Sequence, residues 1–188
     1  MPEPHFDASN ALTFDLEHGI VRLDGVPERV LVPAESLAAL VAAAGELATS
    51  VFGAAMGSDM GRRVASRLAG ADGVRSATID SVVDHLGGEL ALAGLGTLGA
   101  ERWGSALVIV IDQSPLAEAG DGLLAAVLEG AFAVSAGRRV SAAKLMRDGV
   151  RARFLLTSAE GAAKVGTWIA AGSDWGDALV RLHGRGDT

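Results

Sequence analysis

The chain has 188 residues, 49% of them hydrophobic and 21% charged, the composition of one globular domain with a sizeable core rather than of a disordered chain. A net charge of −7 argues against a nucleic-acid binder, which neutralises phosphates with Lys and Arg. The absence of cysteine excludes disulfides, thiolate metal sites and cysteine nucleophiles.

Residues 1–11 read as a loose lead-in without the basic-then-apolar pattern of a signal peptide, and the protein is expected to be cytoplasmic. The longest charge-free stretch, Leu47–Ser58, has 12 residues. A bilayer span takes about 20 apolar residues, so no membrane span is expected. Residues 13–33 alternate in short runs split by His18-Gly19 and Asp24-Gly25, which predicts two or three small strands ending at Pro33.

From Ala34 to about Ala69 the pattern is helical, as one long helix or two joined near Gly45. Gly53, Gly57 and Gly61 recur every four residues, on one stripe of that helix. Each costs about 1 kcal/mol against Ala, so the stripe predicts either close approach of another backbone, in the core or at a dimer seam, or chance in a chain with 25 glycines. Arg62, Arg63 and Arg67 read as a solvated helix face.

Residues 70–76 form a loop, and a helix follows over about Thr78–Ala93 with Ile79, Val82, Val83, Leu86, Leu90 and Ala93 on one face. On it His85 reads as a surface histidine, and Asp80 and Asp84, four residues apart, as a solvated face rather than part of an acid cluster with Glu89. Next comes GLGTLG, residues 94–99, which matches the dinucleotide fingerprint in letters only. That fingerprint needs a strand before the glycines and a helix N-terminus after them to hold the pyrophosphate. Here a helix precedes and the strand SALVIVID, residues 105–112, follows. The glycines are therefore expected to end a helix and enter a strand at close quarters, and no cofactor is expected. The continuous apolar run of that strand suits burial on both faces.

LLAAVLEGAFAVSAG, residues 123–137, is an apolar helix closed by Gly137. Strands on either side of Asp148-Gly149 make a hairpin, and a last helical region over Ala159 to about Leu182 is interrupted at residues 172–174, where Ser173 or Asp174 caps its second half. The tail, residues 184–188, reads as frayed, and its Arg185-Gly186-Asp187 triplet as chance. His5, His18, His85 and His183 match no metal-ligand spacing, and neither a nucleophile elbow nor a phosphate-binding loop is present. The large apolar groups Trp103, Trp168, Trp175, Phe132, Phe154 and Met56 either anchor the core or line an apolar ligand cavity.

Four blocks come in an order similar to that of the 4-vinyl reductase-like domain: VFGAAMGSDMGRRVASRL, then DSVVDHLGGELALAGLGTLGAERWGSALVIVIDQSP, then GDGLLAAVLEGAFAVSAGRRV, then SAAKLMRDGVRARFLLTSAEG. Over roughly residues 28–168 the chain resembles that family, which shares a superfamily with the small subunits of the TRAPP vesicle-tethering complex. The resemblance implies an α+β fold, an antiparallel sheet packed against long helices, in a single domain that pairs as a homodimer through helices. It also implies a non-enzymatic role, holding a small apolar molecule or docking a protein partner. Trp103, Phe132, Phe154 and Met56 are then the expected ligand-lining residues, and Gly53, Gly57 and Gly61 the expected helix-packing or dimer residues. A pure scaffold, or an enzyme related to tetrapyrrole vinyl reduction, are the alternatives. Many members carry two cysteines near the last hairpin. Here Ala152 stands before Arg153-Phe154, and Leu145 or Met146 stands at the earlier position, so no metal function transfers.

Overall fold

The computed structural model describes residues 11–68, 78–137 and 139–184. The lead-in before Ala11 with His5, the 70–76 loop, Arg138 and the Arg185-Gly186-Asp187 triplet lie outside the described residues.

Strands β1 (Leu12–Asp15), β2 (Ile20–Leu23) and β3 (Val26–Arg29) form a small antiparallel sheet. Leu23 pairs with Val26 around Asp24-Gly25, both at positive φ, the geometry that this dipeptide favours in a two-residue hairpin. Helix α1 (Ala34–Leu68) follows Pro33 at once and leaves helical geometry at Gly45, where φ is 79°. The break frees the carbonyl of Val41, and the Thr49 hydroxyl donates to it at 3.3 Å. By length and composition α1 alone is apolar enough to cross a membrane among the described helices. Its C-terminal half, however, is built into the core against α3 (Asp121–Ser135).

That contact is the glycine stripe. A Cβ on Gly53 would lie 2.7 Å from Ala126 Cβ, one on Gly61 would lie 2.6 Å from the Ala131 carbonyl, and one on Gly57 would fall on the Val127 carbonyl. Gly130 of α3 answers in kind against the Ala54 carbonyl. Backbone meets backbone along the seam, so the stripe packs within the chain.

Helix α2 (Ile79–Leu92) starts at Thr78, whose hydroxyl accepts from Ser81 N, and ends at Gly94, where Leu95 N donates to Leu90 O at 3.0 Å. Gly96, at φ 115°, lies against the end of β5 (Ala106–Asp112). The amides of this corner are thus spent on closing a helix and approaching a strand. One strand was not expected: β4 (Thr97–Trp103) starts inside the glycine run, and Gly99 pairs with Val110. It lies at the sheet edge and carries Glu101 and Arg102, so it lacks the apolar signature of β5.

The main sheet has the order β4-β5-β7-β6, all antiparallel, with β6 (Ser141–Asp148) and β7 (Arg151–Thr157) joined through Gly149-Val150, one residue later than the expected turn. Side chains alternate between two cores. Ile109, Ile111, Ala152, Phe154 and Leu156 face α1, α2 and α3. Ala106, Val108, Ala143, Leu145 and Leu155 face α4 (Ala159–Ala170) and α5 (Trp175–His183). The result is an α+β fold in three layers, helices on sheet on helices. Asp174 caps α5 by accepting from Gly176 N at 2.7 Å.

Candidate functional site

The second half of α1 has two working faces. Gly53, Gly57, Gly61 and Val64 face α3, while Met56, Met60, Arg63 and Arg67 form the adjoining stripe. The first three of that second stripe, with Asp59, line a pocket of about 190 Å³. Its other walls are the small sheet through Leu12 and Leu23, the segment Arg29–Val32, and the end of α2 through Glu89, Leu92 and Ala93. The walls are mainly apolar, and the charged residues among them are Arg29, Asp59, Arg63 and Glu89.

Glu89 is the chemical centre of these groups. Its side chain is 1% exposed. One carboxylate oxygen accepts from Arg63 Nε at 2.9 Å and Nη2 at 2.7 Å, and the other accepts from Arg67 Nη1 at 2.5 Å. Arg67 also reaches Asp24 in the β2–β3 turn at 3.0 Å. A buried carboxylate is tolerable only when paired and hydrogen-bonded, and here both oxygens are. The same chain of ion pairs ties α2 to α1 and α1 to the small sheet, so it holds the pocket's walls in register. This corrects the reading of Arg63 and Arg67 as a solvated helix face, and it gives Glu89 a buried place that the sequence reading did not assign. The signal was present: Glu89 comes three residues after Leu86 and seven after Val82, inside the apolar stripe of its helix. His85 is also buried, with Nδ1 3.0 Å from the Ser81 carbonyl, rather than on the surface.

Of the four residues expected to line a ligand cavity, Met56 alone lines this pocket. Phe132 and Phe154 fill the core beneath the sheet, at 2% and 0% exposure. Trp103 lies elsewhere: at the end of β4 it is 47% exposed and meets Trp175 edge-on at 4.8 Å. Arg153 sits 5.8 Å over the Trp175 ring and hydrogen-bonds Glu101, which holds the Glu101 carboxyl below its ordinary range. The structure therefore does not bring Trp103 together with Phe132 and Phe154, because edge strand β4 carries Trp103 to the α5 side of the sheet.

A second buried ion cluster lies at the start of α3. Asp121 accepts from Arg147 Nε at 2.8 Å and lies 2.8 Å from Lys144 Nζ. Burial opposes the charge on Lys144, but Asp121 and Glu118 hold its pKa above the ordinary value. The cluster joins α3 to β6. Among the described residues no three His, Asp or Glu side chains are grouped to hold a metal ion.

No protein-family model matches the chain, and no curated protein matches it in sequence. Among solved structures it is similar to the phenol-responsive sensory domain of the transcription activator PoxR, solved with phenol. The likeness has a TM-score of 0.57 at 16% identity and covers 94% of this chain and 93% of that one. At this identity the likeness is one of fold: the chain shares the fold of a sensory domain that binds a small molecule.

Proposed function

We propose that the protein is a non-enzymatic sensory domain that binds a small apolar molecule, about the size of one substituted ring, in the pocket between the small sheet, α1 and α2. The observation that carries this reading is the pocket itself, about 190 Å³ with mainly apolar walls and one paired, buried carboxylate. An apolar cavity of about 150 Å³ accommodates benzene, so the size suits one ring with a substituent. The fold shared with a phenol-responsive domain supports the same reading. So does the state of Glu89, whose two oxygens are both committed to guanidiniums and are not free for proton transfer. The 4-vinyl reductase-like resemblance and a cytoplasmic setting belong to the same proposal. Its four sequence blocks fall in order on α1, on α2 through β5, on α3 and on the β6–β7 hairpin.

Thermal unfolding with a panel of one-ring aromatic compounds tests the pocket. A compound at 100 times its Kd adds about 2.7 kcal/mol, or roughly 5 to 10 °C in Tm for a chain of this size. Met56→Trp places an indole in the pocket and is expected to leave the fold intact while removing that ligand-induced shift. If no compound moves Tm and Met56→Trp changes nothing, the pocket is not a binding site.

The proposal includes a homodimer. Leu40 and Ala44 before the break at Gly45, and Leu47 and Val51 after it, are all exposed apolar residues that a partner could cover. They lie on the half of α1 that α3 leaves largely uncovered. The protein is expected to be a dimer at micromolar concentration by light scattering, and Leu47→Glu to be a monomer. A monomeric parent protein would contradict this part of the proposal.

A further inference from the structure

Part of the pocket's wall is itself exposed. Val30, Leu31 and Val32, the strap between β3 and α1, line the pocket. They are nevertheless 84%, 68% and 54% exposed. A binding site takes about 70–90% of a small ligand's surface out of water. Aliphatic side chains that leave more than half of their own surface to water do not seal such a site. A strap with few buried apolar contacts also opens readily.

The same kind of surface continues on α1. Leu47, Ala48, Val51, Phe52 and Ala55 are all exposed and alternate by one and three residues, which puts them on one side of the helix, away from the glycines that meet α3. No charged residue interrupts the helix between Glu46 and Asp59. Phe52 lies one turn before Met56, a pocket residue, so the stripe runs to the edge of the pocket that the strap lines. Each partner of a standard interface buries about 800 Å², and the strap with Leu47, Val51 and Phe52 exposes most of that area in large apolar side chains. A second copy is the occupant that fits. A twofold contact needs a self-complementary patch, and an apolar patch without charge complements itself. A charged protein partner would find no counter-charge on it, and the anionic surface of a bilayer would repel a chain of net charge −7.

Resting on the readings of this pocket as a ligand site and of the chain as a homodimer, we infer that the second copy completes the site: it covers the strap and the adjoining stripe of α1, so ligand binding and dimer formation are coupled. Met56, Met60 and Leu23 supply the inner wall from one chain, and the strap, covered by the second copy, supplies the outer one. The dimer then holds the ligand more tightly than one chain does. Coupling is reciprocal, so the ligand tightens the dimer by the same factor.

The test uses the full chain and whichever of toluene, benzamide and benzoate raises Tm most. Calorimetry gives the affinity of that probe from well below to well above the dimerisation midpoint, and sedimentation gives the midpoint with and without it. Binding is expected to be about tenfold tighter in the dimer, and the probe to tighten dimerisation by the same factor. Leu47→Glu, at an exposed position outside the pocket, should give a folded monomer that binds about tenfold more weakly. The dilution series needs no variant, so a Leu47→Glu chain that fails to fold leaves the test intact. Equal affinity in dimer and monomer, or a parent protein that binds the probe as a monomer at every concentration, overturns the coupling and leaves the pocket reading standing. A Leu47→Glu protein that stays dimeric with the parent's affinity puts the seam elsewhere and overturns it too. If no probe binds, the pocket reading fails and the coupling with it.

Discussion

Gly57→Ala is expected to lower Tm by roughly 5 to 10 °C, although alanine is the better helix former by about 1 kcal/mol. The new methyl has nowhere to go. It would fall on the Val127 carbonyl, with the Ala131 amide nitrogen at 2.9 Å. A clash with a flexible side chain is relieved by rotation, but here both obstacles are backbone of α3 and the helices must part. Overpacking costs about 1–3 kcal/mol, and a backbone contact belongs at the upper end. Gly130→Ala should behave alike from the other side, since its methyl would meet the Ala54 carbonyl. Gly166→Ala is the control. It lies inside α4 with open space around its Cβ position, so alanine there is expected to raise Tm by a few degrees. Circular dichroism melts of the three variants decide the matter. A Gly57→Ala protein as stable as its parent would mean that α1 and α3 do not touch through their backbones.

The same stripe shows what the sequence made legible. Glycines four apart on a helix report on the neighbour they admit, and the local spacing alone carries that message. Turn and cap chemistry was equally readable, because it is decided within a few residues. Asp24-Gly25 turns with both φ values positive, Asp174 caps α5, and Gly137 at φ 61° closes α3. The two-sided burial of β5 followed from its unbroken apolar run. What the sequence hid depends on distant partners. Glu89 meets arginines 26 and 22 positions away, so neither its burial nor the pocket beside it is a local property. Edge strand β4 concealed itself because none of its residues is fully buried, and Gly99, Glu101 and Arg102 break the apolar alternation that marks a half-buried strand. Trp103 followed β4 away from Phe132 and Phe154 for that reason.

Glu89→Gln is expected to cost about 3 kcal/mol, seen as a Tm drop of roughly 6 to 12 °C. The amide keeps the shape of the side chain but removes the buried carboxylate that Arg63 and Arg67 share. Breaking a buried ion pair costs about 3–5 kcal/mol, and the lower end applies because both arginines are still about one-fifth exposed and can recover water. High salt should not mask the loss, since a carboxylate 1% exposed is poorly screened, unlike the surface pair Lys164 and Glu160. The informative comparison is the triple replacement of Arg63, Arg67 and Glu89 by methionine. Buried ion networks are often no more stabilising than apolar residues of similar volume. The triple variant is therefore expected to melt near the parent temperature while losing its response to one-ring aromatic compounds. Stability retained with binding lost would assign the trio to recognition, whereas stability lost in the triple variant would assign it to holding the small sheet against α1. A Glu89→Gln protein within 1 °C of its parent would place Glu89 in water, and the pocket with it.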